Sequence, residues 1–373
     1  VSDRVCGCPA LCLAHQTCVA VDADANLQQV RHIGDRVRFL LCYGCRIFKI
    51  AILIFQCEGS IMFQKPQTRR NFLACSTLAV VGPIVQKSVT AATATESDPK
   101  LQGAIGIVSA AAAAQLTGRA TGRNFTLLEL PQILRDELDL TVVDLNTTSF
   151  PDFAKVDSAY LSRLRAATEK AGCVLTNLKM NQRGFDMNSA DNTIRQRALA
   201  EYKRSIDVAS ELGCRWARPL PQKETPNQKI HIASYQELCD YAADKKVQML
   251  VENFGWMQSD PTSVSQLIAA IGHNVAACPD TGNWNSNDIR YDGLKAAFPR
   301  AVTCDFKAKQ LGPNGKHNAY DLKRCFDIAW DAGFKGPWAI EHGNPDTSGF
   351  LAETRQIRNM LRKWTAERMN PAK

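Results

Sequence analysis

Three short segments of the chain each close an apolar run with a carboxylate: Val251-Glu252-Asn253, Pro279-Asp280-Thr281-Gly282-Asn283-Trp284 and Ile340-Glu341-His342-Gly343-Asn344. A fourth, Cys304-Asp305-Phe306-Lys307-Ala308-Lys309, alternates charged and uncharged residues, so Asp305, Lys307 and Lys309 share one face of an extended strand. If Glu252, Asp280 and Glu341 converge, they repel one another unless a cation or a shared proton compensates. A divalent metal is the usual remedy. Oxygen ligands suit a hard ion such as Mg²⁺ or Mn²⁺, which polarises a carbonyl and stabilises an enediolate. The plainer alternative makes each acid a helix cap or a surface ion-pair partner at the start of a loop. It loses ground because the three acids occupy equivalent places on three strands.

Those strands belong to a regular series. Short β-rich runs recur at 103–110, 141–147, 173–180, 214–220, 247–253, 274–280, 301–309 and 336–342. Amphipathic stretches separate them, with apolar positions at helical spacing in Ile194/Ala198/Tyr202/Ile206/Ala209 and Phe350/Thr354/Ile357/Leu361/Trp364. Gly172, Gly213 and Gly333 stand where helices should stop, and Pro131 marks the first turn of the first helix. Strands alternating with helices imply right-handed crossovers and a parallel sheet. Eight such units match an α/β fold of the closed (β/α)8 barrel type, typically ~250 residues. An open doubly wound sheet is disfavoured because no glycine-rich phosphate loop follows the first strand. In a barrel the carboxyl ends of the strands carry the chemistry, and that is where the three acids lie. Lys307 and Lys309, of one parity with Asp305, are expected to point into the barrel and its mouth. Trp256 and Trp284 follow strand ends and could form an apolar wall against a sugar ring. His273, His231 and His317 read as solvated loop residues, and His342, of opposite parity to Glu341, as turned away from the mouth. Cys173, Cys214, Cys239, Cys278, Cys304 and Cys325 read as small core residues without ligand spacing.

The run V-E-N-F-G-W-M-Q-S-D-P, then P-D-T-G-N-W, then A-G-F-K-G-P-W-A-I-E-H resembles the sugar phosphate isomerase/epimerase group of the xylose isomerase-like TIM-barrel superfamily. The resemblance extends from Gly103 to about Trp364. It implies a sugar, sugar-acid or sugar-phosphate isomerase or epimerase working by metal-assisted proton transfer. It further implies Glu252, Asp280 and Glu341 as three of four metal ligands, with Mn, Mg, Co or Zn as the ion, and Glu252 and Glu341 as the acid/base pair. Arg218, Asn253 and Lys179 are implied to orient substrate. Two departures stand out: Asn283 replaces a histidine, and Lys307 is the nearest match to a histidine ligand on the seventh strand. A protonated lysine cannot ligate a cation. Three outcomes stay open: a metal held by three carboxylates and water, a Lys307/Lys309 ammonium replacing it in neutralising the carboxylates, or lost activity in a carbohydrate-binding barrel; Asn283, Lys307 and Lys309 are also candidate substrate-binding residues. An apurinic-site endonuclease, a relative of the same fold, would need a histidine-rich zinc cluster and a basic groove. The body has four scattered histidines.

The chain's amino-terminal part obeys other rules. Residues 62–94 contain Arg69-Arg70, an apolar stretch from Phe72 to Val85 and the A-x-A site Ala92-Thr93-Ala94, the anatomy of a Tat-type export signal with cleavage after Ala94. Periplasmic or extracellular localisation follows, with membrane contact during export only. Residues 1–61 hold seven of the 14 cysteines without regular spacing and are expected to stem from an upstream start and form no domain. A cysteine-rich metal module around Cys42-x-x-Cys45 and a membrane anchor are the competing readings. Residues 95–102 read as a linker and 103–373 as the barrel. The net charge of +8 divides as +1 for 1–61, +3 for 62–100 and +4 for the remainder, too mild for a nucleic-acid partner. The expected partner is a small carbohydrate, and an oligomer is compatible with the sequence.

Overall fold

A strand covered on both faces carries buried residues without interruption, and this pattern runs through the sheet of this protein. The computed structural model describes residues 99–308, 311–312 and 316–370; the expected leader over 1–61 and 62–94, and Lys309, lie outside them. Among the described residues the strands are β1 (Ile105–Val108), β2 (Val142–Asn146), β3 (Val174–Met180), β4 (Trp216–Pro219), β5 (Gln248–Val251), β6 (Val275–Ala277), β7 (Cys304–Lys307) and β8 (Trp338–Glu341). Each falls inside one of the eight β-rich runs.

Pairing is parallel throughout, in the order β6-β5-β4-β3-β2-β1-β8-β7. The two ends of that order are joined by parallel bridges, Ala277 to Ala301 and Asp280 to Asp305. There the Asp305 N–H reaches the Pro279 carbonyl at 2.9 Å and the Thr281 N–H reaches the Asp305 carbonyl at 3.0 Å. The ring therefore closes, with a thinner seam between β6 and β7 than elsewhere. In β1, a Cβ on Gly106 would stand 1.8 Å from the Val142 carbonyl oxygen, so only glycine permits this approach of β1 to β2.

The helices are α1 (Ala113–Leu116), α2 (Leu130–Leu138), α3 (Ser158–Lys170), α4 (Asn192–Leu212), α5 (Gln228–Asp244), α6 (Ser263–Ile271), α7 (Asn287–Ala297), α8 (Leu322–Asp331) and α9 (Thr347–Met369). Asp157, Asp191, Asn227, Asp321 and Asp346 cap α3, α4, α5, α8 and α9 by accepting backbone N–H groups of the first turn. Gly213 ends α4 at φ 75°, and Pro131 sits in the first turn of α2. No helix among the described residues is long and apolar enough to cross a membrane.

Strand parity sorts the side chains. Phe306 and Trp338 face the helix layer, where Trp338 stacks on Phe326 at 5.1 Å and meets Phe334 edge-on at 4.9 Å. Asp305 and Lys307 take the other face, inside the ring. Leu101, assigned to the linker from sequence, is buried with Val142, Trp216 and Leu250 at the base of the barrel, so the packed body starts before Gly103.

Candidate active site

Six strands deliver charged side chains to the carboxyl end of the ring. From β3, Lys179 crosses to β7, its Nζ 2.7 and 2.5 Å from the two carboxylate oxygens of Asp305 and 3.7 Å from Oε2 of Glu252. From β4, Arg218 brings Nε to 2.8 Å from the same Oε2 as a charge contact, and its Nη1 donates to Oδ1 of Asn181 at 2.7 Å. Lys307 of β7 places Nζ 2.6 Å from Oδ2 of Asp280, 2.8 Å from Oδ1 of Asn283 and 3.2 Å from Oε1 of Glu341. Asn283 faces both ways, since its Nδ2 donates to Oε1 of Glu252 at 3.1 Å. Glu252, Asp280, Asp305 and Lys179 are buried, whereas 23% of the Glu341 side chain is exposed, which leaves it the acid open to an incoming molecule.

The loop after β6 is built to hold this arrangement. Oδ1 of Asp280 accepts the backbone N–H groups of Gly282 and Asn283 at 2.6 and 2.9 Å. Asn253 straps the loop, donating to the Asp280 and Asn283 carbonyls at 3.0 Å and accepting the Asp280 N–H at 2.8 Å. A Cβ on Gly282 would lie 2.5 Å from Cδ of Lys307, so glycine makes room for the lysine stem. Trp284 donates its indole N–H to the Asp280 carbonyl at 3.0 Å and packs against Gly293. Expected as a wall for a sugar ring, it is instead a buried strut, because the turn after Asp280 folds it inward. Trp256, half-buried, packs against the core with its ring 5.8 Å from that of His231.

Burial and charge act in opposite directions on the acids. Burial opposes ionisation of Glu252, but Arg218, Lys179 and Lys307 outweigh it and hold its carboxyl down at about 2. Burial lifts Asp280 to about 6 against the pull of Lys307, aided by the neighbouring charges of Glu341 and Glu252. Burial also works against the Lys307 ammonium, yet Asp280, Glu341 and Glu252 together keep it protonated well above its ordinary range.

The predicted residues Lys179, Arg218, Glu252, Asp280, Asn283, Lys307 and Glu341 are thus joined in one network. Asn253 supports it from behind. Asp305 was legible only as one of three same-parity charges, and it emerges as the partner of Lys179 and a central acid. Ligand oxygens of Glu252, Asp280 and Asp305 lie within 4.8 Å of one another, and by spacing alone this trio could hold a metal ion; Glu341 stands outside it, beyond Lys307. A cavity of about 710 Å³ lies at the other end of the strands, lined by Leu101, Trp216, Gln248 and Pro337, away from all of these charges.

Outside the mouth, His231 corrects the solvated reading: it lies in α5, fully buried, against Asn188 and the ring of Tyr235. His342 faces α9, as its parity requires, stacked on Phe350 at 5.4 Å. The cysteines from Cys173 to Cys325 are buried and unpaired. Burial lowers both His231 and His342 to about 4. Because the unfolded chain protonates them near 6.5, it binds more protons than the native state between pH 6.5 and 4, and stability falls with falling pH in that window. Each histidine is expected to contribute on the order of 3 kcal/mol to that loss. Denaturant unfolding across the window checks it: His231→Gln and His342→Gln should each flatten the slope, and an unchanged slope in both single variants would refute the assignment.

The sequence profile described as "Xylose isomerase-like TIM barrel" matches residues 136–365. No curated protein matches the chain. Among solved structures, D-psicose 3-epimerase with D-tagatose from Clostridium cellulolyticum H10 is 13% identical, with 70% of this chain and 98% of that one covered at a TM-score of 0.55. An L-ribulose 3-epimerase is 16% identical, with coverages of 71% and 96% and a TM-score of 0.56. A xylose isomerase-like TIM barrel protein from Mycobacterium smegmatis in complex with magnesium is 18% identical, with coverages of 70% and 97% and a TM-score of 0.51. At such identities the likeness is one of fold.

Proposed function

This chain belongs to the xylose isomerase-like TIM barrel family, and on that premise we propose that it is a sugar isomerase or epimerase, moving a proton beside a carbonyl through an enediolate. The supporting observation is the line Glu252–Asn283–Lys307–Glu341, which sets two carboxylates on either side of a fixed positive charge. Glu341, the more accessible acid, takes the proton from the carbon next to the carbonyl. Glu252, held at about 2, is a weak base at rest; with Arg218 and Asn283 it orients the substrate hydroxyls and serves as the second member of the pair. Positive charge from Lys307 lies where the enediolate oxygen gains negative charge. The neighbours named as epimerases, and the one named in complex with magnesium, support the substrate class and raise the question of a metal.

The divalent ion expected from sequence, Mn, Mg, Co or Zn, fits this donor set poorly. Oxygens of Glu252, Asp280 and Asp305 each have an ammonium or guanidinium nitrogen within 3.7 Å, and those nitrogens cannot ligate a cation. The chemistry above therefore uses the chain's own groups. Deuterium uptake from solvent into a panel of ketoses, aldoses, sugar acids and their phosphates tests the proposal. Uptake into at least one is expected; none in any would favour a non-catalytic carbohydrate-binding barrel.

Export belongs to the same proposal. Arg69-Arg70, the Phe72–Val85 stretch and Ala92-Thr93-Ala94 support a Tat-type signal. Mass spectrometry of the mature protein is expected to find its first residue at Thr95, and a peptide from residues 1–61 would overturn this.

A further inference from the structure

We propose that Lys307, seconded by Lys179, is the resident cation of this mouth and takes the position of charge that a divalent metal would fill. The isomerase or epimerase reading underlies what this cation does for a substrate; the occupancy of the position by ammonium stands apart from it.

An ammonium has three N–H donors, and Nζ of Lys307 has three oxygens within reach: Asp280 at 2.6 Å, Asn283 at 2.8 Å and Glu341 at 3.2 Å. One oxygen each comes from the sixth- and eighth-strand acids and one from the β6 loop, so the nitrogen links two of the three acids expected from sequence as ligands, Asp280 and Glu341, and stands at the edge of the Glu252, Asp280 and Asp305 trio. Nζ of Lys179 fills the other half of the mouth between Asp305 and Glu252. The lysine is seated along its length. Its backbone N–H donates to Oγ1 of Thr281 at 2.9 Å, its carbonyl accepts the Tyr320 hydroxyl at 2.5 Å, and its stem occupies the space left by the missing side chain of Gly282.

Charge leads to the same place. A divalent ion added to the trio would stand beside three cations, Lys179, Arg218 and Lys307, in a buried site where repulsion is weakly screened. A fixed ammonium supplies a hydrogen bond as well as charge: as Glu341 takes the proton from the substrate carbon, the N–H that Lys307 gave to Glu341 can pass to the carbonyl oxygen that becomes negative, without any bond to nitrogen being made.

The test uses the full chain purified without chelator. Elemental analysis should find Mn, Mg, Co and Zn well below one equivalent, and Mn²⁺ titration followed by electron paramagnetic resonance should show no tight site. Lys307→Ala should raise Mn²⁺ affinity at least about tenfold, because it removes a positive charge adjacent to the trio. Lys307→Gln, which keeps the length of the stem, gives the second reading if the alanine variant does not fold. Stoichiometric metal in the unmodified protein, or no gain in affinity in a folded variant, would overturn the proposal. Failure of deuterium uptake with a metal-free mouth would instead strike the catalytic reading alone. Where uptake occurs, chelator should leave its rate unchanged.

Discussion

Glu341→Gln is expected to lower deuterium uptake into the responsive sugar by a factor on the order of 10²–10⁴, the usual contribution of a positioned general base. Its stability should change little. The Glu341 carboxyl is partly exposed and among the described residues has one ion-pair partner, Lys307 at 3.2 Å, so the amide loses that ion pair and leaves no acid uncompensated in the interior. Glu252→Gln should behave differently. Its carboxylate faces Arg218 at 2.8 Å and Lys179 at 3.7 Å while buried, so the neutral amide strands positive charge as well as removing an acid. Rate and unfolding free energy measured side by side separate the two acids. Uptake by Glu341→Gln at the unmodified rate would remove it from the reaction.

The largest loss of stability is expected from Lys179→Met. Both oxygens of Asp305 lie within 2.7 Å of Nζ, and neither group reaches solvent. Removing one member of a buried pair typically costs 3–5 kcal/mol, since the other charge stays behind without compensation. For a domain of this size that corresponds to a fall in Tm of roughly 6–20 °C. The double variant Lys179→Met/Asp305→Leu should recover much of the loss, because an apolar pair of similar volume avoids the desolvation of both charges. Thermal unfolding of the two single variants and the double decides it. Additive losses would show that the two side chains do not act as a pair.

The ring of strands was readable because short β-rich runs recur between amphipathic stretches and because Gly172, Gly213 and Gly333, at φ 67°, 75° and 90°, mark the ends of three helices. The acids at the ends of β5, β6 and β8 were readable for the same reason: topology alone assigns strand ends to one side of a barrel. What resisted was contact across the lumen. Lys179 and Asp305 are 126 residues apart in sequence, and no local pattern says which strand faces which until the ring closes. Asp305 consequently looked like one charge in an alternating run rather than a member of the central trio. Trp284 was misjudged for a related reason, since its direction depends on Gly293 in the next helix leaving a hole for the indole. His231 lies near the polar start of α5, where Asn227 and Lys229 suggest solvent, while the helix turns this one side chain under Trp256.

The join between β6 and β7 rests on two bridges, and the Lys307–Asp280 pair lies directly across it. The backbone bonds of the seam are thus backed by an ion pair from the same side chain that is assigned to chemistry, so a neutral residue at position 307 would leave the closing of the cylinder to those backbone bonds alone.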